Sequence, residues 1–389
     1  MNKEGVSALK ILILNYEYPP LGAGAGVITM FQARELAKQN KVTVVTSSEN
    51  GTFSEEQESE NLKVIRLNVR RRHQFKSNYQ EKTDWIKKGY EFFKQHEKID
   101  FDVCIAHFSI PGGALAYYLK RRFGLKYTIV SHGHDIPWFC RHQMFWPHLF
   151  LFPLIKFIVN HSERLFVQSD EMYKNATKFL GHTSSKVVQV PNGCDSSSFG
   201  INPNMLVDKN QLEILFIGRL AKQKQPLQLI EIAKELIRRN ISFNIKVAGD
   251  GPLKQELMEK IKDSGLEGYI STLGWLDKPQ VLELYQNANI LLAPTIEEGM
   301  SIAIMEALFS GVFVITRAVS GIPELLQQGK TGFICDGSSN GFADGIELYL
   351  KNREEIFHNK EKLVEEFKLK YNWENIVEKY QKELADVVS

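Results

Sequence analysis

The chain has 389 residues, of which 43% are hydrophobic and 24% charged, and its formal net charge is +2. This is the composition of an ordinary globular protein long enough for two or three domains. The four cysteines lack CxxC spacing and no apolar run reaches 18 residues, which excludes a disulfide framework, a cysteine-rich zinc site and a membrane-spanning helix. Residues 1–199 carry 26 basic and 19 acidic side chains and the remainder carries 22 and 27, so either the domains have different partners or the charges scatter by chance.

Strand patterns alternate with helical patterns along the first half of the chain. Several strands are continuous apolar runs, which are typical of strands buried on both faces of a parallel sheet. Residues 49–61, which are acidic and polar, are predicted to be an exposed loop. The predicted strands are Lys10–Asn15, Val42–Thr46, Leu62–Leu67, Phe101–Ala106, Tyr127–Ser131, Arg164–Gln168 and Val187–Val190, with helices at Val27–Gln39 and Gly112–Phe123.

The polar stretch Ser196–Gln211 has no periodic apolar face and predicts a domain boundary. The second half then repeats the alternation, which indicates βαβ units with right-handed crossovers. Ligands of such sheets bind beyond the carboxyl ends of the strands. The predicted strands are Glu213–Ile217, Phe243–Ala248, Ile270–Leu273, Ile290–Ala293, Val312–Thr316 and Gly332–Cys335; the helices are Pro226–Arg239, Pro252–Ser264, Lys278–Asn287, Met300–Phe309 and an amphipathic Trp373–Val388.

Two glutamates eight positions apart, Glu298 and Glu306, flank the most informative turn. An apolar strand precedes the first, and a helix-forming run contains the second. Gly299 and Ser301 mark the turn between them, which would point backbone N–H groups outward at a helix N-terminus, where phosphate binds well. A ligand with a phosphate centre and hydroxyls on both sides, such as a nucleotide sugar, fits this layout.

An ordered series of short motifs carries a family resemblance over nearly the whole chain. Each motif is weak alone, but in this order and spacing the chain resembles the retaining glycosyltransferases of family four (glycosyl transferases group one). The motifs are Gly22–Gly26 (Gly-Ala-Gly-Ala-Gly), Ser131–Asp135, Pro191–Asp195, Gly218–Leu220 with Lys224, Ala248–Pro252, Leu273–Trp275, Glu298–Ala307 and Gly321–Glu324.

The resemblance implies the GT-B fold, an α/β architecture of two doubly wound Rossmann-like domains that face a central cleft. Residues 1–198 would form the acceptor-binding domain, and residues 199–372 would bind the nucleotide sugar. The C-terminal helix, residues 373–389, would cross back to complete the N-terminal domain. The resemblance also implies a hexosyltransferase that uses no cofactor and no metal ion.

Family positions for the donor diphosphate and nucleoside fall in the second half. Arg219 and Lys224 match the cations that would neutralise the diphosphate leaving group. Glu298 matches the glutamate that contacts sugar hydroxyls, and Glu306 matches the one that accepts hydrogen bonds from the ribose. The remaining donor positions are Gly218, Gly251, Gly299, Met300, Ser301 and Ile302.

In the first half, His132 matches the family's active-site histidine, with a hydrogen bond to the donor sugar as its expected role. Asp135 would reach the acceptor or orient His132, and His134 is a further acceptor candidate. The glycine-rich loop departs from the usual Gly-Gly pair, and Gly24 and Gly26 are the glycines expected to approach the phosphate. The usual glycine after Lys224 is replaced by Gln225.

The resemblance implies transfer with retention from a UDP- or GDP-sugar. The expected acceptor is a glycan or a polyprenyl-linked glycan, in polysaccharide biosynthesis, and no nucleic-acid partner is expected. Aromatic residues crowd the segment 138–159, which either contacts a membrane surface through the N-terminal domain or forms a buried helix pair. No signal peptide is visible, and we expect a cytoplasmic enzyme with peripheral contact at the inner face of the membrane.

Two other function classes remain open. A nucleotide-sugar epimerase of the same architecture would need no acceptor. A non-catalytic sugar-binding protein would have no need of Arg219, Lys224, Glu298 and Glu306, and their presence argues against it.

Overall fold

A computed structural model describes residues 8–22, 24–74, 77–133, 135–137, 141–195, 198–202 and 211–389, with the backbone alone over 141–149. The contacts divide the chain into two compact units. Unit 1 contains residues 1–193 together with 373–389, and unit 2 contains residues 194–372.

Among the described residues of unit 1, eight strands form one sheet in the order β3-β4-β2-β1-β5-β6-β7-β8. All neighbouring pairs are parallel except β3 with β4. Because β1 lies between β2 and β5, the chain reverses its direction across the sheet at β1 and β5. The strands are β1 (Lys10–Leu14), β2 (Lys41–Ser48), β3 (Ser54–Ser59), β4 (Leu62–Arg70), β5 (Val103–His107), β6 (Lys126–Val130), β7 (Arg164–Val167) and β8 (Val187–Gln189).

Helices connect these strands and bury their apolar faces on the sheet. The fully buried Trp85, Leu115 and Phe179 come from three different helices and join one core cluster with the strands. The helices are α1 (Gly24–Leu36), α2 (Tyr79–Lys94), α3 (Gly113–Phe123), α4 (Arg141–Asn160), α5 (Asp170–Leu180) and the returning α12 (Trp373–Val388).

Among the described residues of unit 2, six parallel strands form a sheet in the order β11-β10-β9-β12-β13-β14. This is the doubly wound order with its switch point between β9 and β12. The strands are β9 (Leu212–Ile217), β10 (Phe243–Ala248), β11 (Ile270–Gly274), β12 (Ile290–Ala293), β13 (Phe313–Arg317) and β14 (Gly332–Cys335). The helices are α6 (Gln228–Arg238), α7 (Lys254–Asp263), α8 (Lys278–Gln286), α9 (Ile302–Phe309), α10 (Ile322–Leu325) and α11 (Ser339–Tyr371).

The prediction of an exposed loop over 49–61 is wrong. Residues Ser54–Ser59 form β3, which pairs antiparallel with β4 at the edge of the unit 1 sheet. Its side chains are almost all exposed and its sequence is polar throughout, so it has neither the apolar alternation nor the β-branched residues that predict a strand. Every strand predicted from apolar pattern is confirmed, with bounds that shift by up to three residues.

None of the helices among the described residues is long and apolar enough to cross a bilayer. The predicted boundary Ser196–Gln211 falls largely outside the described residues, and the unit division comes slightly earlier, between Gly193 and Cys194.

Candidate active site

Lys224 lies at the carboxyl end of β9, in the short 3₁₀ turn Lys222–Lys224. Its side chain runs past Gly218, and its Nζ pairs with Oε2 of Glu298. Both side chains are 17% exposed. The pair therefore places one cation and one carboxylate together at the switch point of the unit 2 sheet.

Backbone hydrogen bonds hold this pair in place. The hydroxyl of Thr295 donates to the carbonyl oxygen of Gln223 at 2.9 Å, and the backbone N–H of Ile296 donates to the same oxygen at 2.9 Å. The segment after β12 is thus fastened to the turn that carries Lys224. Glu298 lies two residues after Ile296, so it meets Lys224 although the two are far apart in sequence.

The N-terminus of α9 opens beside Glu298. Ser301 is the N-cap residue, is 4% exposed and has extended backbone angles. The Ser301 side chain makes no capping hydrogen bond to this first turn. The N–H groups of the turn, reinforced by the helix dipole, can therefore bind an anion. Gly299, Met300 and Ile302 complete the turn, with Met300 buried in the unit 2 core.

Glu306 projects from the second turn of α9 and is only partly accessible. The hydroxyl of the fully buried Tyr285 donates to Oε2 of Glu306 at 3.2 Å and lies 3.0 Å from the carbonyl oxygen of Ala303. Burial raises the pKa of Glu306 to about 7, although Tyr285 and the nearby Lys278 act in the opposite direction. Tyr285 comes from α8, and sequence reasoning did not find it.

Glycines let the loops after β9 and β10 pack backbone against backbone. A Cβ on Gly249 would lie 1.9 Å from the carbonyl oxygen of Gly218, and one on Gly251 would lie 2.5 Å from that of Leu220. Gly218 and Gly249 have φ values of +150° and +143°. These glycines bring the two loops together at the edge of the sheet where Lys224 lies.

Arg219 is exposed at the same edge. Trp275, which directly follows β11, is 57% exposed. Asp250 accepts a hydrogen bond from the Gly251 N–H at 2.7 Å and pairs with Lys254 at 2.8 Å, which is the arrangement of a turn-stabilising carboxylate. The Lys254 hydrogen bond lowers the pKa of Asp250.

In unit 1, Asp135 fastens the loop that carries His132. One carboxylate oxygen accepts hydrogen bonds from the Ser131 hydroxyl at 2.8 Å and the His132 N–H at 2.9 Å. The other accepts from the Ser109 N–H at 2.8 Å and from its hydroxyl at 3.2 Å. Asp135 is 7% exposed, so this geometry favours orienting His132 over contact with an acceptor.

The ring of His132 lies against two residues at the carboxyl end of β5. Its Nε2 is 2.9 Å from Nδ1 of His107, and its ring is tilted against that of Phe108 with centroids 4.6 Å apart. His107 is fully buried, and burial together with the neighbouring His132 holds its pKa well below the usual value. Nothing in the sequence pattern marked His107 as part of the site.

Of the two glycines that are expected to approach the phosphate, one is accessible and the other is buried. Gly24 begins α1 and is exposed, whereas Gly26 is buried and a Cβ on it would lie 2.9 Å from the carbonyl oxygen of Leu21. His134 lies outside the described residues. Among the residues that the structure describes, no group of three or more histidine, cysteine or carboxylate side chains could hold a metal ion.

Family models match both halves of the chain. Residues 22–198 match the model "Glycosyltransferase Family 4", and residues 201–367 match "Glycosyl transferases group 1". The chain is 24% identical over 301 residues to the N-acetyl-alpha-D-glucosaminyl L-malate synthase of Bacillus anthracis. This match covers 75% of this chain and 76% of that protein. It spans 56 to 57% of the length of three other curated relatives that it matches.

Solved structures share the whole fold. The sucrose-phosphate synthase of Thermosynechococcus elongatus has a TM-score of 0.83 at 16% identity, covering 96% of this chain and 98% of that one. The HepE protein of Anabaena in complex with UDP-glucose has a TM-score of 0.76 at 15% identity, covering 97% and 100%. The resemblance and the predicted fold class are confirmed: the chain has the GT-B fold of two parallel-sheet α/β domains and belongs to the group 1 glycosyltransferases of family four.

Proposed function

We propose that this glycosyltransferase moves a hexosyl group, with retention and without a metal ion, from a nucleotide-diphosphate sugar to a glycan or lipid-linked glycan. Residues 199–372 bind the donor, and residues 1–198 with 373–389 bind the acceptor. The UDP-glucose in the HepE structure supports the choice of donor class, although a GDP-sugar would suit the same groups.

One observation carries the proposal: Lys224 and the open N-terminus of α9 converge with Glu298 at the switch point of the unit 2 sheet. Lys224 and the N–H groups of α9 supply positive charge without a metal ion, and Arg219 stands exposed nearby. This charge would stabilise the diphosphate as its bond to the sugar breaks. Glu298 would then accept hydrogen bonds from the sugar, and Glu306 from the ribose.

The proposed transfer step takes place on one face of the sugar. The bond between the anomeric carbon and the leaving phosphate oxygen breaks, and the acceptor oxygen bonds to the anomeric carbon on the same face. The acceptor's proton passes to the leaving phosphate. His132 hydrogen-bonds the sugar, and Asp135 holds the His132 loop.

Trp275 adds a surface for the nucleobase. Its indole is exposed where β11 ends, at the same edge of the sheet as the glycine loops. An aromatic face of this kind stacks on any base, so it would strengthen nucleotide binding without choosing between uridine and guanosine.

Helix α4 offers a surface for a membrane-linked acceptor. Phe150, Leu154 and Phe157 share one face of the helix and are 77%, 47% and 43% exposed. Tyr117 of α3 packs edge-on against Phe157 with centroids 5.0 Å apart, and the exposed Arg121 lies one turn further along α3. An apolar face with an adjacent cation suits peripheral contact with an anionic bilayer.

The test is ligand-dependent thermal stability with UDP, GDP and ADP, each with and without a chelator. A nucleotide that binds the folded state at a hundred times its Kd should stabilise it by about 2.7 kcal/mol. Lys224→Met should abolish most of this stabilisation, whereas Lys222→Met, an exposed lysine in the same turn, should retain it. Equal protection in both variants would remove Lys224 from the diphosphate site, and loss of turnover on chelation would overturn the metal-free mechanism.

A further inference from the structure

We propose that Gln32 and His107 are positioning residues that fix which ring nitrogen of His132 carries a proton. The inference deepens the proposed function, because it rests on His132 contacting the donor sugar. It assigns roles to two buried residues that lie behind His132.

The three side chains form a chain of hydrogen bonds. Gln32 projects from α1, and its Oε1 lies 2.9 Å from Nε2 of His107. Nδ1 of His107 lies 2.9 Å from Nε2 of His132 and 3.1 Å from the hydroxyl oxygen of Thr29. Gln32, Thr29 and His107 are all 0% exposed, so water does not compete for these bonds.

The positions of the hydrogens follow from what each atom can donate. The amide oxygen of Gln32 only accepts, so Nε2 of His107 carries a hydrogen. Burial keeps His107 neutral, and its Nδ1 can then only accept. The hydroxyl of Thr29 donates to the carbonyl oxygen of Ala25 at 2.8 Å. The donor to His107 is therefore the Nε2–H of His132.

His132 is held in one tautomer by this arrangement. With a proton on Nε2, neutral His132 has its lone pair on Nδ1 and can engage a sugar hydroxyl only as an acceptor there. The opposite tautomer would offer a donor at Nδ1 and would lose the bond to His107. A network that favours one form thus decides which hydrogen bond His132 can make in the transfer.

The orientation of the Gln32 amide is the decisive element. Its Nε2 is buried and has no hydrogen-bond partner among the described residues. Turning the amide over would place a donor against His107 and reverse every proton along the chain. Replacing Gln32 by Met removes the acceptor and the unpartnered donor while keeping the length of the side chain, so the fold should tolerate it.

The experiment uses the full-length protein labelled with ¹⁵N-histidine, and two-bond nitrogen–proton spectra recorded near pH 8. The His132 signals are identified by their loss in His132→Gln. The wild type should show His132 protonated on Nε2. Gln32→Met should mix the two tautomers and lower kcat by roughly 10- to 100-fold with little change in donor KM, and Gln32→Glu, which keeps an acceptor, should restore both. Gln168→Met removes another buried glutamine, whose Nε2 also has no hydrogen-bond partner among the described residues, and should change neither readout.

Two results would overturn the inference: a proton on Nδ1 of His132 in the wild type, or an unchanged tautomer and kcat in Gln32→Met. The spectra need no substrate. If they show the expected tautomers but the protein binds no nucleotide, the proposed function fails while the proton assignment stands.

Discussion

The ion pair between Lys224 and Glu298 joins side chains 74 positions apart. Each group neutralises the other before any ligand is present, so the lysine is held at the α9 N-terminus despite the positive end of that helix. A diphosphate brings its own negative charge to the same place. We therefore expect Lys224 to change partner on donor binding, which frees Glu298 for the sugar hydroxyls.

The protonation state of Glu306 that favours folding differs from the one that would favour the proposed donor binding. Its folded pKa of about 7 lies above its usual value of 4.5. The stability that this group contributes is fully present below pH 4.5 and is lost as the pH rises through 7, because the unfolded chain ionises first. The proposed hydrogen bonds from the ribose hydroxyls, however, favour the ionised form of Glu306 as acceptor.

We predict that Glu306→Gln raises the free energy of unfolding at pH 8 by up to about 3 kcal/mol and leaves it nearly unchanged at pH 4.5. In the wild type, nucleotide affinity should fall as the pH drops below 7, and in Glu306→Gln it should be weaker and should lose this dependence. Denaturant unfolding and calorimetric titration at both pH values measure these effects. A variant less stable than the wild type at pH 8 would contradict the account.

Substitution of Trp275 tests the proposed nucleobase surface. We predict that Trp275→Ala weakens nucleotide binding by about 1–3 kcal/mol, or 5- to 150-fold, because the indole face is lost. Calorimetric titration with UDP and GDP measures the change. Tyr269→Ala removes a 38% exposed aromatic at the opposite end of β11 and should leave affinity unaltered. If both variants bind equally well, Trp275 has no part in the nucleotide site.

At the scale of elements, the exposed face of α4 predicts membrane contact. Replacing Phe150, Leu154 and Phe157 together by serine should lower binding to vesicles containing phosphatidylglycerol by at least tenfold, since each buried apolar side chain contributes about 1.5–3 kcal/mol. Co-sedimentation measures this. Met258→Ser removes a 44% exposed apolar side chain from unit 2 and serves as the control. Equal sedimentation of the triple variant and the wild type would assign the face another role.

The elements that could be predicted are those whose side chains report burial. The apolar runs of β1, β9 and β12 predict buried strands. The glycine and the serine between β12 and α9 predict the turn. Helix α2 was not predicted, although Asn78 and Glu81 form a capping box at its start that the sequence could have revealed. Strand β3 could not be predicted, because its pairing with β4 depends on a neighbour and not on its own side chains.

Some residues of the candidate site could likewise be predicted from the sequence, and others could not. Residues at strand ends, such as Lys224 and Glu298, follow from motif order. The supporting pairs do not: Tyr285 reaches Glu306 from α8, and His107 reaches Gln32 across 75 positions. Such contacts form when distant segments of the chain fold together, so the spacing of residues in the sequence does not predict them.

At the scale of the whole molecule, the chain leaves unit 1 and returns to it through α12. Trp373, the first residue of that helix, is 5% exposed and stacks on Phe31 of α1 with centroids 6.2 Å apart. A Cβ on Gly193 would lie 2.5 Å from its ring. The family models end at residue 367, so they omit a helix that is part of the unit 1 fold.

We predict that Trp373→Ala destabilises unit 1 by about 3–5 kcal/mol, the usual cost of removing a large buried side chain. Calorimetry should show an unfolding transition at lower temperature, while the transition that responds to nucleotide stays in place. Trp275 is exposed, so Trp275→Ala should lower the free energy of unfolding by less than about 0.5 kcal/mol. A shift of the nucleotide-responsive transition by Trp373→Ala would mean that the two units do not unfold separately.

Strand β3 has a consequence for how copies of the protein behave in concentrated solution. An unpaired border of a sheet invites another molecule to lay its backbone alongside. Here that border carries Glu55, Glu56 and Glu58, which pair with Lys63, Arg66 and Arg34 respectively, so an incoming strand would meet charged side chains. Because charged side chains on an edge strand disfavour pairing with a further strand, growth of the sheet from one molecule to the next is opposed on this side.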